Sequence, residues 1–236
     1  MTAARMVFVL SVLSAALLLV AGPGTRLEWW SFRTGFTLMR WAAYLGLGVA
    51  GLAMLGLLLP RVRRAQTGLL LAALAIAAIV AWVPWHGLRQ ARTLPPIHDI
   101  STDTVDPPAF VAVLPLRADA PNIAEYAGEA IATQQRAGYP ELQPLLLDLP
   151  VDAAFARAQQ AAEQMGWEIV AADPGNRRIE ATDTTFWFGF KDDVVVRVRP
   201  EGEGSRIDVR SVSRMGGSDV GANAARIRAY LRRLQR

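Results

Sequence analysis

The sequence predicts an α+β protein in two parts. An N-terminal bundle of three transmembrane helices precedes a two-layer domain, in which a four-stranded antiparallel sheet is covered by helices. Three observations predict it. Long apolar runs are confined to the first 85 of the 236 residues. The charge changes sign near residue 96: nine arginines stand against the single acid Glu28 before it, and sixteen basic against twenty acidic side chains after it. From Val151 onward the hydrophobic pattern reads helix, four short strands, helix.

The apolar runs are Met6–Ala21, Trp41–Leu59 and Gly68–Trp85. As helices of about 1.5 Å per residue they span roughly 24, 28 and 27 Å, against a hydrocarbon core about 30 Å thick. None has the polar face of a soluble surface helix. The second and third hold no charge and end near Pro60 and Pro84, and Trp29, Trp30, Trp41, Trp82 and Trp85 cluster at run ends, where amphipathic rings prefer the membrane interface. The first run, behind Arg5, also suits a signal peptide. Pro23 directly after its best cleavage site argues for an uncleaved helix. Small residues recur every fourth position (Ala42, Gly46, Ala50; Ala73, Ala77, Ala81), so the second and third helices are expected to form a close antiparallel hairpin across the eight-residue connection Pro60–Thr67.

No ionisable side chain lies mid-span, which disfavours a pump or transporter and leaves an anchor in the lipid bilayer. The compact Arg61, Arg63, Arg64 loop places itself and the N-terminus inside. The C-terminal part is then expected on the outer, periplasmic face of an inner (plasma) membrane. The acidic balance of that part disfavours a nucleic-acid partner. With no Cys and only His86 and His98, thiol catalysis, disulfides and His-rich or thiolate metal sites are excluded; no metal and no cofactor is expected.

Residues 93–150 read as a Pro-rich strap, irregular over Ile97–Phe110, with one helix within Asn122–Gly138. Val151–Met165 is a helix with Phe155, Ala158, Ala162 and Met165 on one face, stopped by Gly166. Strands follow at Trp167–Ala172 and Arg177–Thr184 across the turn Asp173–Asn176, then at Asp193–Arg199 and Arg206–Ser213 across Glu201–Gly204. Phe186–Phe190, FWFGF, is a short aromatic connection or strand. A last helix runs to Leu234, capped by Ser218 or Asp219.

Pairing the last two strands so that inward residues meet sets Val198 opposite Ile207, Val196 opposite Val209, Val194 opposite Ser211 and Asp192 opposite Ser213; Arg197 then meets Asp208. A shift of two residues fits the pattern equally. In this register the apolar face turns polar at one end, and Asp219 and Asn223 of the last helix come near. Lys191, Asp193, Arg210, Arg214 and Arg226 lie around the same end. These ten residues, Asp192, Ser211 and Ser213 included, are either a ligand-binding pocket or a buried network in which each polar group satisfies another. Asp99, Asp103 and Asp106 lack the spacing of a Ca²⁺ loop. Asp192 and Asp193, as neighbours in a strand, point to opposite faces and cannot pair as acid and base.

The stretches Ile97–Asp103, Ala181–Pro200 and Arg206–Arg228 (IHDISTD, ATDTTFWFGFKDDVVVRVRP and RIDVRSVSRMGGSDVGANAARIR) resemble the bacterial and plastid family called domain of unknown function 1499, over about residues 95–235. The preceding helices are similar to those of its membrane-tethered members. The resemblance implies no catalytic residue. The expected function is a membrane-anchored envelope domain, not an enzyme, that binds a small ligand or an envelope or membrane protein partner. The alternatives are a small hydrolase or transferase using Asp192, Ser213 and Asp219, and a lipid- or pigment-handling module built on FWFGF.

Overall fold

A computed structural model describes residues 2–236, with the side chains of Arg64 and Ala65 outside the described set; the expected contribution of Arg64 to a charged loop lies outside it too. The chain divides into two compact units, Met1–Gln90 with Phe186–Gly189, and Ala91–Thr185 with Phe190–Arg236.

The first unit contains α1 (Ala3–Arg26), α2 (Phe32–Leu58) and most of α3 (Pro60–Thr93). All three are long and apolar enough to cross a membrane. Each begins before its apolar run, and α1 and α3 also continue beyond it. The expected connection Pro60–Thr67 is itself helical, broken only at Gln66 (φ −149°), and α3 continues through Pro84 to Thr93. The small-residue rows meet as expected: Ala42, Gly46, Ala73 and Ala77 are buried, and a Cβ on Gly46 would lie 3.1 Å from the Ala77 carbonyl oxygen. Helix backbones approach this closely only where side chains are small.

In the second unit, β1 (Asp99–Ser101), β2 (Leu145–Leu147), β3 (Glu168–Asp173), β4 (Arg178–Thr184), β5 (Lys191–Glu201) and β6 (Gly204–Ser213) form one antiparallel sheet in the order β1-β6-β5-β4-β3, with β2 also on β6. The sheet has six strands, not four. Both additional strands come from the stretch read as a strap. They lie end to end along one edge of β6, β1 pairing with Arg210–Val212 and β2 with Ser205–Ile207, and satisfy backbone groups that a buried edge would otherwise orphan. The β5–β6 register is the one expected, from Asp192–Ser213 to Val198–Ile207, with Arg197 facing Asp208.

Helices α5 (Val151–Gln164) and α6 (Ala222–Leu234) cover one face of the sheet. Phe155, Ala158, Ala162, Ile227 and Tyr230 pack there on Ile179, Val194, Val196, Ile207 and Val209. Trp167 stacks on Tyr230, whose hydroxyl donates to the Ala158 carbonyl at 2.8 Å. The opposite face is also covered, which corrects the two-layer expectation. Phe110 and Val113 of the strap bury Val195 and Val212, and the Glu180 carboxylate, 1% exposed, accepts the backbone N–H of Val111 and Val113 at 3.0 Å. Helix α4 (Glu129–Gly138) is shorter than the expected Asn122–Gly138 segment, because Asn122 is used elsewhere: its side chain donates to the carbonyls of Ser213 and Gly216. Helix α6 starts at Ala222, after Val220 and Gly221, both at positive φ (52° and 81°); the helix thus begins later than expected, while the Asp219 carboxylate still accepts N–H groups at its start.

Candidate functional site

Nine of the ten residues read as one group gather on opposite faces of the sheet, because successive strand residues alternate. On the α6 side, the Arg226 guanidinium donates to Asp192 at 2.6 Å, Asp183 at 2.6 Å, Ser211 at 3.1 Å, and Asn223. Ser211 donates to the Asn223 side-chain oxygen at 2.7 Å, and the Asn223 amide donates to Ser213 Oγ and the His98 carbonyl. Asp192, Ser211, Ser213, Asn223 and Arg226 are all buried. Burial works against the charge on Arg226, yet Asp192 and Asp183 outweigh it and hold its pKa above the ordinary arginine value.

Asp219 stands at the start of α6. It accepts the N–H of Gly221 at 2.9 Å and of Asn223 at 2.6 Å, so it satisfies two of the free donors of that helix end. Burial nevertheless pushes its carboxyl above the usual carboxylate range, aided by the charge of Asp192 and opposed by those two N–H groups.

On the strap side, Asp193 is fully buried. It accepts from Arg117 at 2.5 Å, from Arg214 at 2.8 and 2.9 Å, and from Thr182 at 2.7 Å. Burial alone would raise its pKa; the hydrogen bonds from Arg214, Thr182 and Arg117 prevail and hold it below the ordinary value. Arg210 makes a paired contact with Asp99 at 2.8 and 2.9 Å, with its guanidinium over the rings of Phe110 and Tyr126 at 5.1 and 5.2 Å. Burial and the nearby Asp99 push the Tyr126 phenol up to about 12. Lys191 is exposed and stands outside both clusters.

Arg117, Thr182 and Asp183 complete these clusters and were not among the predicted residues; Asp99, weighed in the sequence only as a cation ligand, joins them as the partner of Arg210. Asp183 had a signal, since it faces Asp192 in the β4–β5 ladder. Arg117 had none, because it arrives from a short 3₁₀ turn, Leu114–Arg117, 76 residues away from Asp193 in the chain.

The chemistry of the clusters is chiefly mutual satisfaction, with the buried Arg117 Nε and Tyr126 hydroxyl left unpartnered. The Ser213 hydroxyl is engaged by Asn223, Asp192 by Arg226, and Asp219 by backbone donors. The three carboxylates weighed as a cation site are each taken by arginine: Asp99 by Arg210, Asp103 by Arg206 and Arg199, Asp106 by Arg197 and Arg199. Among the described residues no group of three or more His, Cys, Asp or Glu is placed to hold a metal.

Open space lies elsewhere. A groove of about 690 Å³ runs between the strap at 102–106, α4 and the segment 142–144, with Arg206 at one wall. A second groove, about 510 Å³, is bounded by Pro107, Phe110, Leu114, Tyr126 and Arg210. A third, about 960 Å³, lies over α5 and the C-terminal end of α6, with Arg157, Arg233 and Arg236 at its walls. Of the ten predicted residues, only Arg210 lines any of these three.

Comparison with known proteins adds one finding. A family model described as a protein of unknown function, DUF1499, matches residues 99–234, a span that takes in every strand and α4, α5 and α6. No curated protein matches the chain. The matched span is more than half of the chain and includes both clusters, and the chain belongs to the DUF1499 family.

Proposed function

We propose that the protein is anchored in a membrane by α1–α3 and that its second unit is a binding module, not an enzyme, which takes a small polar ligand in the 690 Å³ groove. The observation that carries this reading is the groove itself. Its volume lies within the roughly 300–1,000 Å³ of ligand sites, and its walls combine Thr104, Gln143, Arg136 and Arg206 with the carboxylates Asp103 and Asp106. The side chains of Arg136 and Asp106 are 46% and 64% exposed; they can turn toward a ligand, whereas the members of the two buried clusters cannot. A lining with both signs of charge and several hydroxyl or amide groups suits a compact molecule that is zwitterionic or rich in hydroxyls.

The engaged state of Ser213, Asp192 and Asp219 supports binding over hydrolysis, since a nucleophile needs a free general base within hydrogen-bond reach. The charge rule supports a cytoplasmic N-terminus in an inner membrane and a periplasmic second unit. A reporter fused after Arg236 tests the orientation, and activity of a cytoplasm-only reporter reverses it. Native mass spectrometry of the full chain, released from detergent after incubation with a panel of polar metabolites, tests the site. Thr104→Trp, which fills the groove, is expected to abolish the adduct. An adduct unchanged by Thr104→Trp, or none across the panel, refutes this site.

A further inference from the structure

The residues Phe186-Trp187-Phe188-Gly189, between β4 and β5, belong to the helical unit. Trp187 packs against the cluster of Leu18, Ala42 and Val80, and its Nε1 donates to the Leu19 carbonyl at 3.4 Å. Phe188 is 8% exposed, with its ring 5.1 Å from that of Phe36. Arg26 donates to the Phe186 carbonyl at 2.7 Å. Two glycines make room for these rings. A Cβ on Gly22 would fall inside the Trp187 indole, and one on Gly35 would come within 2.9 Å of the Phe188 ring.

The Phe186 side chain does the opposite and is 90% exposed. The tip's partners include Leu19, Gly22, Arg26, Gly35 and Phe36, toward the end of α1 and α2 where the two helices connect, which also carries Trp29, 68% exposed, and Phe36, 48% exposed. Amphipathic rings such as that of Trp29, at the ends of membrane-crossing helices, sit at the headgroup level.

We propose that Phe186–Phe188 is a membrane-interface anchor, an aromatic tip built into the helical unit that places the Phe186 ring among lipids while Trp187 and Phe188 are seated against α1 and α2. The occupant is lipid, because the exposed Phe186 ring is held through its own carbonyl to Arg26, at the end of the membrane-crossing helices that also exposes Trp29 and Phe36. This inference rests on the membrane-spanning reading of α1–α3.

The chain has no Cys, so Phe186→Cys introduces a unique thiol for a polarity-sensitive fluorophore. The full chain is reconstituted in phosphatidylcholine vesicles that carry a spin label either near the headgroup or deep in the acyl chains. Leu13→Cys, midway along α1 and 58% exposed in the native chain, is the depth reference. The label at 186 is expected to lose most of its emission to the shallow spin label, less to the deep one, and little to aqueous iodide. The label at 13 is expected to respond to the deep one. If position 13 responds to the deep spin label while position 186 is quenched by iodide alone, the anchor is overturned and the spanning reading stands. If neither position responds to lipid spin labels, both fall. Adding Gly22→Val to Phe186→Cys, to crowd out Trp187, is expected to raise iodide access at 186; unchanged access overturns the seating.

Discussion

Replacing Asp193 by Asn keeps the side chain's shape and removes its charge from between Arg117 and Arg214. The cost follows from what each cation has left. Arg117 has a side chain only 3% exposed; it retains the Asn122 carbonyl at 2.9 Å and a long contact to Val212 at 3.4 Å. Arg214 is 14% exposed, reaches water and keeps Thr182. Removing one partner of a buried pair costs about 3–5 kcal/mol; since Arg117 keeps carbonyl partners and Arg214 reaches water, the expected loss is at the low end, about 3 kcal/mol. At roughly 1.4 kcal/mol per tenfold, opening of the second unit becomes about 100-fold more frequent. Hydrogen exchange of the β5 and β6 amides in the full chain in detergent reads this directly, because central strands exchange through the largest openings.

The pH dependence has a definite sign. The folded pKa of Asp193 lies below its ordinary value, so its contribution is complete above the unfolded value of about 3.9 and is lost as pH falls through the folded one. The gap between native chain and variant is therefore full at pH 7 and narrows below about pH 3.9. Exchange within about threefold of the native chain at pH 7, or a gap that widens on acidification, refutes the argument that a buried charge pair locks the strap to the sheet.

Three further outcomes are expected. Arg226→Met strands Asp192, whose side chain is 3% exposed, and should lower stability by about 3 kcal/mol; Arg226→Lys should rescue little, since one ammonium cannot span Asp183, Asp192 and Ser211 together, and thermal unfolding of the two variants compares them. Asp219→Asn should be neutral or stabilising at pH 8 and lose that advantage as pH falls, because a carboxyl with a raised folded pKa costs stability in full above that value and none below its unfolded value of about 3.9; melting temperatures at pH 8 and at about pH 3.5, below that unfolded value, check it. Val220→Gly should not destabilise, although it deletes a side chain, since a β-branched residue at φ 52° carries strain of about 1–3 kcal/mol that glycine does not; a loss above about 1 kcal/mol in the same melts contradicts this reading.

How much of this was legible in the sequence differs by element. The β5–β6 hairpin could be read residue by residue, because Val194, Val196 and Val198 recur at every second position and Ile207 and Val209 answer them across a short turn. The same alternation already implied that Asp192 and Asp193 part company, and following it through would have divided the ten predicted site residues between two faces. The strands β1 and β2 were not legible. Three residues are too few to show a period, and both form only because β6 offers a long edge that needs partners.

By itself the sequence determined the properties that depend on local pattern: three apolar helices, the helix–strand–helix order from Val151 to Leu234, and the central register. Solvation and side-chain alternation act over a few residues, so neighbours in the chain suffice to express them. Only the tertiary structure decided what covers the second face of the sheet, that Arg117 meets Asp193, and that open space lies beside Thr104 and Arg136, away from the buried clusters. Those outcomes depend on how a 58-residue segment with little periodicity, Thr93–Pro150, finds buried carboxylates and an unpaired strand edge, and such long-range pairings leave no spacing in the chain to be read.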